Sequence, residues 1–179
     1  MLKLADTIVV LIDVQGKLWN VMYEKEILLE NTQKLVKGIQ LLGIPIVLTE
    51  QNPQGLGPTM PELTQLMPNV KPVPKFCFSC YQDKPFHDSL ISLKRKQVLI
   101  AGIEAHVCVY QTAMELMNDG FEVQVVADAV SSRSLRNRDV ALGRVVSEGA
   151  KLTTTEMALF ELLQTAESPR FKELSKVIK

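Results

Sequence analysis

The 179-residue chain lacks spare charge of either sign: twenty lysines and arginines face twenty acids. A surface built for nucleic acid or an anionic membrane needs a basic excess, so neither is an expected partner. The chain also lacks any run of about 18 apolar residues, the length that a bilayer-crossing helix requires. Its opening, MLKLADTIVVLID, meets an acidic residue too early for a secretory leader and reads as a strand. Cysteines number three, an odd set that makes no disulfide framework, so a reducing, cytoplasmic setting is expected. Histidines number two. The C-x-x-C pair Cys77 and Cys80 would need two more ligands for a zinc site. Beyond carboxylates only Cys108, His87 and His106 remain, so no metal and no cofactor is expected. Internal repeats, low-complexity tracts and linkers are absent too.

What is present is apolar. At 46% hydrophobic residues the chain can fill a layered core, and residues 1–179 read as one domain. The runs TIVVLI (7–12), IPIVLT (44–49), QVLIAG (97–102) and FEVQVVADA (121–129) are short and scarcely alternate. Strands buried on both faces of a parallel sheet look like this. Between them lie helical patterns. One spans Glu24 to Leu42, with Ile27, Leu28, Leu35, Ile39 and Leu42 on its apolar side and Gly43 as its stop. Another, Val109 to Asn118, presents Val109, Ala113, Leu116 and Met117 before Gly120. A third carries Val140, Gly143, Arg144 and Val146 and ends near Gly149. Thr153 and Glu156 suggest a capping box before MALFELL, and FKELSKVI is an amphipathic segment for the outside. Strand–helix alternation of this kind predicts an α/β fold, an open parallel sheet with helices on both faces. Residues 51–75, rich in proline and glycine, form the one long irregular excursion.

Ligands of such sheets bind beyond the carboxyl ends of the strands. Asp13 directly follows the first strand, and Cys108 stands past another, where a helix opens. A helix N-terminus favours the thiolate, so the Cys108 thiol is expected to ionise readily. Lys75 sits among apolar neighbours behind two prolines, and if buried it needs an anion. The three can form one cluster of acid/base, cation and nucleophile. Each also has a plainer reading: Cys108 as an inert core thiol, Asp13 as a turn cap, Lys75 as a surface lysine. His106 likewise reads as a hydrogen-bonded loop residue, and Asp128 with Ser131 and Ser132 as the organiser of a turn.

Taken together, VVLIDVQ, PKFCFS and GIEAHVCV resemble the isochorismatase-like cysteine hydrolases over nearly the whole chain. LTEQNPQGLGPTMPEL, DAVSSRS and PRFKELSKVIK resemble most the isochorismatase domain-containing branch. The resemblance implies a three-layer α/β/α fold with a six-stranded parallel sheet. It implies an Asp13–Lys75–Cys108 triad, a non-proline cis peptide at Ile103–Glu104, and backbone N–H groups of Glu104 and Cys108 facing an oxyanion. Gln51, Phe78, Ile103 and His106 would then line a substrate, and the protein would be a homo-oligomer. Where nicotinamidases of the family carry metal ligands, this chain reads TEQNPQGLG, so no metal is implied. Relatives acting on isochorismate itself lack the cysteine. The expected activity is therefore metal-independent hydrolysis of a C–N bond in a small amide, carbamoyl or ureido substrate through a thioester. The alternatives are vinyl-ether hydrolysis of an isochorismate-like acid and a non-catalytic interaction module.

Overall fold

The computed structural model describes residues 1–179. The four apolar runs become the long strands of one sheet: β1 (Thr7–Ile12), β2 (Ile46–Gln51), β4 (Gln97–Ile103) and β5 (Glu122–Ser131). Two strands of three residues, β3 (Val73–Lys75) and β6 (Lys151–Thr153), complete it. All neighbours are parallel, in the order β3-β2-β1-β4-β5-β6. The chain runs outward from β1 to β3, then returns to the other side of β1 as β4. That reversal opens a crevice at the carboxyl ends of β1 and β4.

Burial on both faces explains the strand sequences. Along β1, Val9 and Leu11 enter one apolar cluster while Ile8, Val10 and Ile12 enter the other. The first cluster is closed by α2 (Lys25–Leu42), α4 (Pro61–Thr64), α8 (Thr155–Leu163) and α9 (Phe171–Ile178), through Leu35, Ile39, Leu63, Leu159 and Leu174. The second is closed by α5 (Lys84–Ser92), α6 (Tyr110–Asn118) and α7 (Leu135–Ser147), through Phe86, Leu116 and Val145. The result is the expected α/β/α sandwich.

Several local expectations need correction. In α7 the buried positions are Ala141 and Val145, and Val140 and Val146 face solvent. The buried pair stands four residues apart, one helical turn, and enters the second apolar cluster. In α2, Ile27 is exposed and Leu28 takes the core position. The helix after β6 is capped by Thr154, whose hydroxyl accepts from the Met157 N–H, and Thr153 instead ends the strand. The 51–75 excursion is not irregular throughout. It holds the short helical turns α3 (Pro53–Leu56) and α4, and it ends in β3. Its near end is tied down from below: the Gln15 amide donates to the carbonyls of Gln51 and Gly57, and Glu50 accepts from the N–H and hydroxyl of Thr59.

One glycine is required by the crevice itself. Gly102 pairs with Ile12 in the sheet and adopts φ +116°, and a Cβ on it would overlap the Ile12 backbone. Only glycine lets β4 lie this close to the end of β1.

Candidate active site

Asp13 leaves β1 in a left-handed conformation, φ 52°, which an L-residue other than glycine holds only when its surroundings fix it. They do so at four points. The Asp13 N–H donates to the Thr49 carbonyl at 3.2 Å, and its carbonyl accepts from Gln15 at 2.8 Å. Its Oδ1 accepts from the Thr49 hydroxyl and its Oδ2 from the Lys75 ammonium, both at 2.7 Å. The Asp13 and Lys75 side chains are both 0% exposed. A charge this deep is tolerated only when paired and fully hydrogen-bonded, and Lys75 is: its Nζ also reaches Gln51 Oε1 at 2.7 Å and the carbonyls of Cys77 and Phe78 at 3.2 and 3.4 Å. Lys75 is no surface lysine. Desolvation works against its ammonium, but the pull of Cys80, Asp13 and Cys108 outweighs it, so its pKa is raised. Both thiols are protonated near neutrality, which leaves Asp13 as the anion that holds it.

On the β4 side the peptide Ile103–Glu104 is cis, and residues Ala105–Val109 make a π-helical turn before α6 begins. The N–H groups of Val107 and Val109 both donate to the Glu104 carbonyl, while the Glu104 N–H itself finds no acceptor in the protein. Cys108 stands in this turn, 5% exposed. Its thiol is not acidic, contrary to expectation. Burial first, and the Asp13 carboxylate second, push it well up, and Lys75 only partly offsets them. A nearby anion and desolvation outweigh the helix terminus. The resting site is thus a thiol beside a carboxylate.

The structure brings Asp13, Lys75 and Cys108 to one crevice, and it adds Thr49 and Arg133, which sequence reasoning passed over, as partners of Cys80 and Glu104. Cys80 lies against Thr49, 3.8 Å from its hydroxyl. Because Thr49 spends its proton on Asp13, Cys80 is the donor. Burial pushes its thiol to about 12. Glu104 Oε2 accepts from the backbone N–H and Nε of Arg133, at 3.0 and 3.1 Å, which sets a second cation at the rim. No local signal marks Thr49 or Arg133: each is an ordinary residue type whose role depends on a partner distant in the chain.

The proposed substrate contacts fare unevenly. The Gln51 side chain is committed at both ends, accepting from Lys75 and donating to the Phe76 carbonyl at 2.8 Å, so it supports the lysine. Ile103 is fully buried beside Met22 and Leu28, and offers a ligand no surface. Phe78 is 55% exposed, next to the 76% exposed Phe76. His106 stands half-buried between Ser132, 3.0 Å from Nδ1, and the Asn137 amide, 3.4 Å from Nε2. An amide nitrogen can only donate, so Nε2 is the acceptor and Nδ1 carries the proton. Open space lies partly elsewhere. A cavity of about 200 Å³ between α2 and α7, lined by Tyr23, Glu24, Asp128 and Arg138 among others, includes none of Asp13, Lys75 and Cys108.

The isochorismatase domain family matches residues 7–157. This chain belongs to that family. It is 40% identical over 173 residues to isochorismatase domain-containing protein 2 of Danio rerio, covering 96% of this chain and 86% of that one. Among solved structures, MAR1 ribonuclease of Caenorhabditis elegans superposes with TM-score 0.93 at 35% identity, over 99% of this chain and 91% of the other. The YcaC gene product of Escherichia coli, described as an octameric hydrolase of unknown specificity, superposes with TM-score 0.94 at 26% identity, over 99% and 88%. The chain thus has the family's hydrolase fold, and no helix in it is long and apolar enough to cross a membrane.

Proposed function

We propose that the protein is a metal-independent cysteine hydrolase that cleaves a C–N bond in a small amide, carbamoyl or ureido compound. The observation that carries this reading is the fully buried Lys75–Asp13 pair, 2.7 Å apart, beside the Cys108 thiol. A buried ion pair is seldom justified by stability alone, since apolar replacements are often neutral or better. A base held unprotonated beside a thiol has a clear use.

In the reaction, Asp13 removes the Cys108 proton as sulfur adds to the substrate carbonyl. The negative charge formed on oxygen is met by the Glu104 and Cys108 N–H groups; losing one such donor typically costs about 10²–10³-fold in rate. Collapse breaks the C–N bond, and the proton on Asp13 goes to the departing nitrogen. Water then attacks the thioester, giving one proton to Asp13, and the C–S bond breaks as that proton returns to sulfur. Lys75 stays protonated throughout and keeps Asp13 a carboxylate between steps. The C. elegans relative is named a ribonuclease; the balanced charge of this chain favours a small substrate over RNA. The octameric E. coli relative supports an assembly of more than one chain, and a monomer by light scattering would refute it.

One observation favours the non-catalytic alternative: Cys108 is nearly buried, and the cavity between α2 and α7 bypasses it. A screen of small amides and ureido compounds, with mass spectrometry of the trapped adduct, separates the two. Hydrolysis with an acyl group on Cys108, absent in Cys108→Ala, is the expected result. No adduct and no turnover across the panel would leave the interaction module.

A further inference from the structure

Residues Cys77–Gln82 join the lysine strand to α5, and they are fastened to α6, the helix that directly follows the cysteine's turn. Ser79, itself buried, donates its hydroxyl proton to Glu115 Oε2 at 2.6 Å. The Gln82 amide donates to Glu115 Oε1 at 2.5 Å, and the Cys80 N–H donates to the Thr112 hydroxyl at 2.9 Å. Tyr81 reaches Asp119 one turn further on. Thr112 and Glu115 stand three apart on α6, so both face the 77–82 turn, and Cys108 lies in the turn that leads into that helix. At its other end the same turn offers the Cys77 and Phe78 carbonyls to the Lys75 ammonium.

We propose that Glu115 is a positioning residue for the triad: by gripping Ser79 and Gln82 it sets the distance between Lys75 and Cys108. The proposal rests on the reading of Cys108 as a nucleophile activated by Asp13 and Lys75. Neither Glu115 nor Thr112 touches the reacting atoms. The three polar contacts act as a strut between two segments that arrive from different strands, β3 and β4. Without the strut the 77–82 turn is free to move from α6, and Lys75 loses the two carbonyls that steady it. Lys75 is the group that draws the Cys108 pKa down, so a loosened Lys75 leaves the thiol harder to ionise.

The test is the rate of iodoacetamide alkylation at Cys108, followed by peptide mass spectrometry between about pH 7 and about pH 9, where the fold is intact and the rate follows the small thiolate fraction. Glu115→Ala is expected to slow alkylation about tenfold throughout that window, the mark of a pKa raised by about one unit. A merely structural loosening instead exposes the thiol and speeds alkylation throughout. Glu115→Gln keeps the length and, by rotation of the Ser79 hydroxyl and of the Gln82 amide, both hydrogen bonds; it should restore the wild-type profile. Asp119→Asn, at the exposed end, serves as a control expected to leave the profile in place. An unshifted Glu115→Ala profile, or a Gln variant as slow as the Ala variant, would overturn the proposal. Should Glu115→Ala not fold, Ser79→Ala and Thr112→Val cut the same strut from either side, and an unshifted profile in both overturns it equally. Asp13→Asn separates the two levels of inference. If it shifts the profile and Glu115→Ala does not, positioning alone fails; if neither shifts it, the triad reading fails too.

Discussion

The two walls of the crevice are built on opposite plans. The wall from β1, β2 and β3 has spent its polar groups: both Asp13 oxygens, the Thr49 hydroxyl, the Gln51 amide and the Lys75 ammonium are bonded to one another or to backbone. The wall from β4 is held at its rim by Glu104 with Arg133 and by His106 with Ser132 and Asn137, and keeps at least the Glu104 N–H unspent. A closed network fixes a charge in place at the cost of adaptability, and an open donor has value only to something that arrives later. On the proposed reading the charged wall is the stable component and the β4 wall the receiving one.

The sharpest way to break this division is Cys108→Ala. Turnover should vanish while the melting temperature stays near wild type, because a thiol gives way to a small apolar group and the opposite wall is untouched. Residual turnover by Cys108→Ala would remove the nucleophile from the scheme. Lys75→Ala attacks the closed wall directly. It strands Asp13 in the interior, and urea unfolding should show a loss of about 3–5 kcal/mol together with lost activity. An unchanged midpoint and rate would mean that the pair is incidental.

Thr49→Val is a finer probe of the same wall. It removes one donor to Asp13 and the acceptor for Cys80, and about 1–3 kcal/mol of stability should go with it. Alkaline pH loads that region without mutation. The folded Cys80 thiol is raised from 9.0 to about 12, and Lys75 is raised as well. Each contribution to stability is complete below the unfolded pKa and disappears as pH climbs towards the folded one. Stability should therefore decline above pH 9.0, less steeply in Cys80→Ala; a parallel decline in both proteins would exclude Cys80 as a cause. The smallest effect is expected from Arg133→Ala. Its side chain is 62% exposed and its backbone N–H still serves Glu104, so no more than about 1 kcal/mol should be lost. A loss as large as that of Lys75→Ala would erase the contrast between the walls.

What was legible in the sequence follows from what was local. The four long strands announce themselves because burial on both faces demands unbroken apolar runs. β3 and β6 do not, since three residues carry no periodicity. Asp13 and Cys108 could be singled out because a strand end is visible from its own residues, and Lys75 because two prolines and aromatic neighbours frame it. The partners of these residues stayed hidden. Thr49 acts across 36 positions and Gln51 across 24, and pairing at such separations leaves no trace in spacing. The acidity expected of Cys108 was wrong for a related reason: the helix terminus is local, but the burial that chiefly overrides it, and the Asp13 carboxylate that adds to it, come from the assembled fold.

The strand order carries a further consequence, for synthesis. During translation β1 emerges ahead of β2 and can pair with it soon after, yet its other neighbour is β4, which begins only at Gln97. At roughly 5–20 residues per second, the open side of TIVVLI is naked for several seconds on the ribosome. An unpaired apolar strand edge is an invitation to other nascent chains. Cells making this protein rapidly should find it in inclusion bodies unless a chaperone covers that edge until β4 arrives.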